Sequence, residues 1–174
     1  MSNKKFIESI PVGPLAIVAL PGSKALGDKV DAYISGWRSE RLEAKESPIT
    51  FKGYVKDSYL LNVSVPRFGT GEAKCALKDT VRGCDLYIID DVTNHSIEYT
   101  VCGQKNHMSP DDHYADIKRV IAAASGKARK ITVIMPFLYE SRQHRRSSRE
   151  SMDCAVMLQE LVSMGVDNIL TFDA

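Results

Sequence analysis

Arg142, Arg145, Arg146 and Arg149 stand close together in the chain, with Gln143, His144, Ser147 and Ser148 between them and Glu140 and Glu150 at either end. Guanidinium groups offer planar forks of N–H donors that match the oxygens of phosphates and carboxylates. Upstream, Ile131-Thr132-Val133-Ile134-Met135 reads as a short buried strand. Downstream, Cys154, Ala155, Leu158, Leu161 and Val162 recur at the three- and four-residue spacing of one helix face. Ser147 with Glu150 fits a capping box and predicts a helix start at Ser147 or Ser148. A basic loop leading into a helix N-terminus gathers guanidinium donors and unpaired backbone N–H groups, a combination that favours anions. The competing reading is a solvated charged surface loop. Position favours the anion site, because loops leaving the carboxyl ends of parallel strands line the ligand crevice.

The elements that must place this loop follow along the chain. Leu15–Leu20 is an apolar strand, ended by Pro21-Gly22-Ser23, a turn that could hold a phosphate but more often simply connects. Leu26, Val30, Tyr33, Ile34 and Trp37 then form the stripe of a helix capped at Ser23. A strand is expected over Ile49–Val55 and another over Leu60–Val65. Gly69 and Gly71 in the following stretch let the backbone turn sharply beside a ligand. Cys84–Ile89 is a strand ending in Asp90-Asp91, and a long polar connection runs from there to Asp112. His95, Cys102, His107 and His113 lie in or just after it, but their spacing is no standard zinc pattern.

Ser109-Pro110-Asp111-Asp112 is a helix start, with a capping serine, a first-turn proline and acids at the positive end of the dipole. Tyr114, Ile117, Val120, Ile121 and Ala124 supply that helix's buried face, and Gly126 ends it. The second helix runs to about Met164, Gly165 terminates it, and Asn168–Phe172 is the last strand. From Cys84 the order is βαβαβ, which implies a parallel sheet. The loops after Asp90, Met135 and Phe172 then share one edge, and Asp173 sits beside the basic loop. A carboxylate next to an arginine-lined anion site suits a magnesium–polyphosphate complex. Equally, Asp173 could pair with an arginine or fray.

The 174 residues suffice for one domain with a substantial core, and 23 basic against 22 acidic residues give a net charge of +1. That balance, and the lack of aromatic residues among the arginines, argues against a nucleic-acid-binding surface. No apolar run approaches the roughly 20 residues of a membrane span, and the first residues carry no signal-peptide pattern. The four cysteines are widely spaced, without CxxC. A cytoplasmic protein is expected.

Three stretches carry a resemblance: Arg67-Phe68-Gly69-Thr70-Gly71-Glu72, Val81 through Ile89, and Ile131 through Asp173. Together they resemble the N-terminal half of the ribose-phosphate pyrophosphokinases (PRPP synthetases). The most specific element is Tyr-x-x-Arg-Gln-x-Arg-Arg, here Tyr139 to Arg146, and Gly165 through Asp173 is a second match. The resemblance implies an α/β fold, a three-layer parallel-sheet domain of the phosphoribosyltransferase-like type. It also implies Mg²⁺-dependent transfer of diphosphate from ATP to ribose 5-phosphate. Arg142, Gln143, Arg145, Arg146 and Ser147 would bind ATP. Phe68, Thr70, Gly71 and Glu72 would reach the adenine, usually from a neighbouring subunit, so a homo-oligomer is implied. Asp173 matches the acid just before a magnesium-binding histidine.

The departures have consequences. Thr70 stands where the family usually has aspartate, and His144 and Ser147 replace usual acidic positions. The 93–112 segment resembles an enlarged connection. Residues 1–174 contain no recognisable ribose-phosphate loop, so the chain is expected to be the ATP-side domain, inactive or nearly so alone. The alternative implied by the same resemblance is a non-catalytic regulatory or associated subunit.

Overall fold

A computed structural model describes residues 11–44, 51–124 and 126–174. Its elements are β1 (Leu15–Ala19), α1 (Lys24–Glu43), β2 (Val63–Ser64), β3 (Ala76–Leu77), β4 (Asp85–Ile89), β5 (Glu98–Val101) and β6 (Gln104–His107). They are followed by α2 (Pro110–Ala124), β7 (Lys130–Ile134), α3 (Asp153–Ser163) and β8 (Asn168–Leu170). The main sheet is parallel, in the order β1-β4-β7-β8, with Val18 opposite Ile88 and Ile88 opposite Val133.

Strand alternation divides the apolar residues between two helical layers. Ala16, Val18, Leu86, Ile88, Ile131 and Val133 face α2 and α3, where they meet Ile117, Val120, Met157 and Leu161. Ile17 and Ile89 face the other way, toward Leu26, Val30 and Ile34 of α1. The result is the expected three-layer α/β sandwich with a parallel sheet. Of the helices among the described residues only α1 covers that second face, together with Tyr59 and Leu60. Beside it, a hollow of about 340 Å³ remains, lined in part by Trp37, Tyr87 and Ile134.

The helix α2 matches its sequence signals. The Ser109 hydroxyl accepts the Asp112 N–H at 3.1 Å, while the Asp112 carboxylate accepts the Ser109 N–H at 3.0 Å. The buried face carries Tyr114, Ile117, Val120, Ile121 and Ala124 as expected, and also His113 and Asp116. Gly165 takes φ +90° after α3, the left-handed turn that ends a helix.

Several expectations are corrected. Residues 51–55 make turns rather than a strand, while 49 and 50 lie outside the described residues. Of the strand expected over Leu60–Val65, only an isolated parallel bridge from Leu60 to Ile17 and the short β2, paired with β3, form. Tyr33 is 72% exposed, because the line 26, 30, 34 turns inward and carries it to the flank. The polar connection before α2 folds into the antiparallel β5–β6 hairpin. Most distinctly, α3 begins at Asp153 and not at Ser147. Only half of the expected capping box forms: the Ser147 N–H and hydroxyl both donate to the Glu150 carboxylate, each at 3.2 Å, and no helix follows directly. Its buried line is Cys154, Met157 and Leu161, which leaves Val162 65% exposed.

Candidate functional site

The apolar run of β7 ends at Met135, and Pro136 breaks the ladder. Here the chain tail joins the loop root: Asp173 donates its N–H to the Pro136 carbonyl at 3.1 Å, and Leu138 donates to the Asp173 carbonyl at 2.9 Å. The expected neighbourhood of Asp173 and the basic loop is therefore direct. The Asp173 side chain is exposed and makes no hydrogen bond or ion pair among the described residues.

Glu140 takes the left-handed conformation at φ +56°, and a single 3₁₀ turn, Ser141–Gln143, follows. Ser141 is buried under it. This reversal carries Arg142 over a hollow of about 160 Å³ lined also by Val92, Thr93, Pro110, Phe137 and Tyr139. Val92 and Thr93 leave β4, Pro110 opens α2, and Phe137 leaves β7. Arg142 thus stands at the carboxyl edge of the sheet. Arg145, Arg146 and Arg149 are exposed, and none of the four arginines joins an ion pair among the described residues.

Other residues of the loop are engaged internally. The Gln143 amide donates to the Ser151 carbonyl at 2.8 Å, and the Ser147 hydroxyl contacts Glu150 at 3.2 Å. Tyr139 roots the loop on α2: its hydroxyl donates to Asp111 at 2.6 Å and its ring stacks on Tyr114 with centroids 4.5 Å apart. Burial, then the charges of Asp153 and Asp111, push the Glu140 carboxyl above its usual range. The Tyr114 hydroxyl and the Lys118 ammonium hold Glu160 below it.

Phe68, Thr70, Gly71 and Glu72 form a second, separate feature. Phe68 donates its N–H to the Glu72 carbonyl at 2.7 Å, and Gly71 donates back to Phe68 at 2.9 Å, with Gly71 at φ +92°. The Thr70 hydroxyl donates to Glu72 at 3.0 Å, and Phe68 is 48% exposed. None of these residues lines the hollow beside Arg142. Both features meet the first turns of α2, the basic loop through Tyr139 and Asp111, the glycine loop through Arg67 and Asp116 at 2.9 Å.

Sequence reasoning missed a buried pair behind this edge. His113 Nδ1 lies 2.9 Å from Asp90 Oδ2, both side chains about 1% exposed, and His113 Nε2 lies 2.9 Å from the Asn94 carbonyl. A carbonyl only accepts, so Nε2 carries a proton by this network. The Asn94 amide in turn donates to the Gly22 carbonyl at 2.8 Å. A side chain at Gly22 would come within 2.5 Å of Asp90 Oδ1, so that turn works as close packing and not as an open phosphate cradle. The available signal was a histidine on the buried line 113, 117, 120, 124. His95 and His107 pair elsewhere, His107 Nδ1 with the His95 carbonyl at 2.7 Å, and no group of three or more potential metal ligands converges among the described residues.

The carboxylate of Asp173 suits a magnesium ion, which is ordinarily held by one or two carboxylates plus phosphate oxygens and water. Among the described residues, no helix is long and apolar enough to cross a membrane.

Comparison with known proteins gives concordant findings. The family model described as the N-terminal domain of ribose phosphate pyrophosphokinase matches residues 15–165. A ribose-phosphate pyrophosphokinase of Haemophilus ducreyi is 33% identical over 114 residues, 64% of this chain and 32% of that protein. One from Buchnera aphidicola is 32% identical over the same length, again 64% of this chain and 32% of that protein. The chain thus matches about a third of the length of these relatives. The crystal structure of phosphoribosylpyrophosphate synthetase from Mycobacterium smegmatis superposes with a TM-score of 0.62 at 19% identity, covering 90% of this chain and 41% of that one, a likeness of fold.

Proposed function

The chain belongs to the family of N-terminal domains of ribose phosphate pyrophosphokinase, and from that membership we propose that it is the ATP-side domain of an enzyme making PRPP for nucleotide biosynthesis. In that reaction the 1-hydroxyl of ribose 5-phosphate attacks the β-phosphorus of ATP, the bond to the α-phosphate breaks, and AMP leaves. Catalysis of such a transfer is positioning plus neutralisation of charge on phosphoryl oxygens. Arg142 holds the polyphosphate over the hollow at the sheet edge, and Arg145 and Arg146 add exposed positive charge. Gln143 and Ser147 frame the loop. Asp173 would hold Mg²⁺, which supplies charge neutralisation on the phosphates. Phe68, Thr70, Gly71 and Glu72 receive the adenine of a neighbouring copy's nucleotide in a homo-oligomer.

On this reading residues 1–174 are one domain, and the ribose 5-phosphate cradle lies in a further domain, so these residues alone are inactive or nearly so. The setting is the cytoplasm, with no nucleic-acid or membrane partner. The observation that carries the reading is Arg142 at the carboxyl edge, beside a hollow and outside every described ion pair. Replacing Arg142 with alanine is expected to weaken ATP binding about tenfold or more, since a hydrogen bond to a charged group contributes about 1.5–3 kcal/mol. Unchanged affinity in a calorimetric titration would overturn the assignment.

A second reading, a non-catalytic associated subunit, is favoured by the internal engagement of the Gln143 amide and the Ser147 hydroxyl. Turnover of ATP and ribose 5-phosphate by the intact protein separates the two. Diphosphate transfer supports the enzyme, and nucleotide binding without transfer supports the subunit.

A further inference from the structure

The β5–β6 hairpin has no part in the site as described so far. Yet its tip and inner face lie against the Phe68–Glu72 loop, through contacts of three kinds. Cys102 donates its backbone N–H to the Gly69 carbonyl at 3.0 Å. Val101 packs on the side of Gly71 that faces the hairpin, where a side chain at Gly71 would meet Val101 Cγ2 at 3.2 Å. Tyr99 lies under the Arg67 guanidinium, 4.8 Å from carbon to ring centroid, and its hydroxyl donates to Asp112 at 3.1 Å.

Arg67 is the point at which these contacts converge. Its side chain is 10% exposed and reaches Asp116 at 2.9 Å, Asp112 at 3.5 Å and the Gly71 carbonyl at 3.5 Å. Arg67 and Ala73 close the base of the loop as an antiparallel bridge. The loop is therefore held at its base by α2 and at its tip by the hairpin, while Phe68, Thr70 and Glu72 remain exposed. A polar loop with glycines at 69 and 71 has little stiffness of its own, and ordering it on binding would cost affinity.

We propose that the β5–β6 hairpin, through Tyr99, Val101 and Cys102, is a positioning element that holds the Phe68–Glu72 loop ready for the nucleotide base. This rests on the reading of that loop as the base-contacting segment. The hairpin acts on the base alone, whereas Arg142 acts on the polyphosphate, and that division makes the two separable.

The test compares the full chain with Tyr99→Ala, Tyr99→Phe and Arg142→Ala, titrated with ATP and with inorganic tripolyphosphate. Tyr99→Ala is expected to weaken ATP about tenfold and leave tripolyphosphate unchanged, because the polyphosphate does not use the loop. Tyr99→Phe keeps the ring beneath Arg67 and should recover most of the ATP affinity. Equal losses for both ligands in Tyr99→Ala would mean a general structural defect, and no loss for either would mean an idle hairpin. Each of these overturns the proposal. Arg142→Ala weakening neither ligand would overturn the polyphosphate site itself. Wild-type protein that binds neither ligand would remove the nucleotide reading on which the hairpin's role rests.

Discussion

The Asp173 carbonyl accepts the Leu138 N–H at 2.9 Å, so the acid's backbone is fixed to the root of the loop bearing Arg142. Its carboxylate has no partner of its own among the described residues. Changing Asp173 to asparagine should preserve those backbone contacts while removing the charge. ATP binding in the presence of Mg²⁺ is expected to weaken about tenfold, and binding in chelator to stay the same. An equal effect with and without the ion would assign Asp173 to packing.

His113 and Asp90 predict a pH dependence of stability. Burial opposes charge on His113, but the hydrogen bond and attraction to Asp90 prevail and raise its pKa above the usual imidazole range. Burial raises Asp90 as well. Both shifts mean that the folded chain keeps protons the unfolded chain releases. The contribution of His113 is complete below its unfolded value of about 6.5 and is lost as pH rises through its folded value. Denaturant unfolding should show stability falling from about pH 6.5 upward, with a flatter slope in Asp90→Asn. A slope unaffected by that change would show that the pair does not govern it.

Gly27 predicts an inversion of helix propensity. Alanine inside a helix is ordinarily favoured over glycine by about 0.8–1 kcal/mol. Here a Cβ would collide with the Cβ of Ala19, where α1 rests on β1. Overpacking of this kind costs about 1–3 kcal/mol, so Gly27→Ala should be destabilising on balance. A raised midpoint of thermal unfolding would contradict the packing of α1 on the strand.

Ser109 predicts a smaller loss. Its hydroxyl accepts the Asp112 N–H, and the Asp112 carboxylate accepts the Ser109 N–H in return. Burial tends to raise Asp112, but the Ser109 backbone and hydroxyl, with Tyr99 and Arg67, outweigh it and hold the acid below its usual range. Ser109→Ala is expected to cost about 1 kcal/mol by chemical denaturation.

The parallel sheet was legible because β1, β4 and β7 are nearly continuous apolar runs, and α2 was legible because its caps and its buried stripe agree. The hairpin was not, since Gln104, Lys105, Asn106 and His107 are all exposed and carry no apolar alternation. Its cue is the pair Cys102-Gly103 with φ +48° and +81°, the left-handed geometry of a two-residue hairpin turn. The start of α3 was misplaced because a glutamate can accept the N–H and hydroxyl of a serine three residues before it without a helix. The apolar face to be buried begins only at Cys154. The position of Arg142 at the sheet edge was legible from strand order, but the Asp90–His113 pair joins residues from a strand end and a later helix that no local pattern connects.

The two rims of the main sheet are finished differently. At β1, Ile17 exchanges hydrogen bonds with Tyr59 and Leu61, so a neighbouring segment seals that side. At β8 no described residue does so, and Leu170 and Phe172 stand 47% and 76% exposed beside it. An unsealed rim with apolar flanks is a template on which another strand can add. At high concentration these residues should therefore self-associate through this rim, and a lysine at position 170 should keep them dispersed.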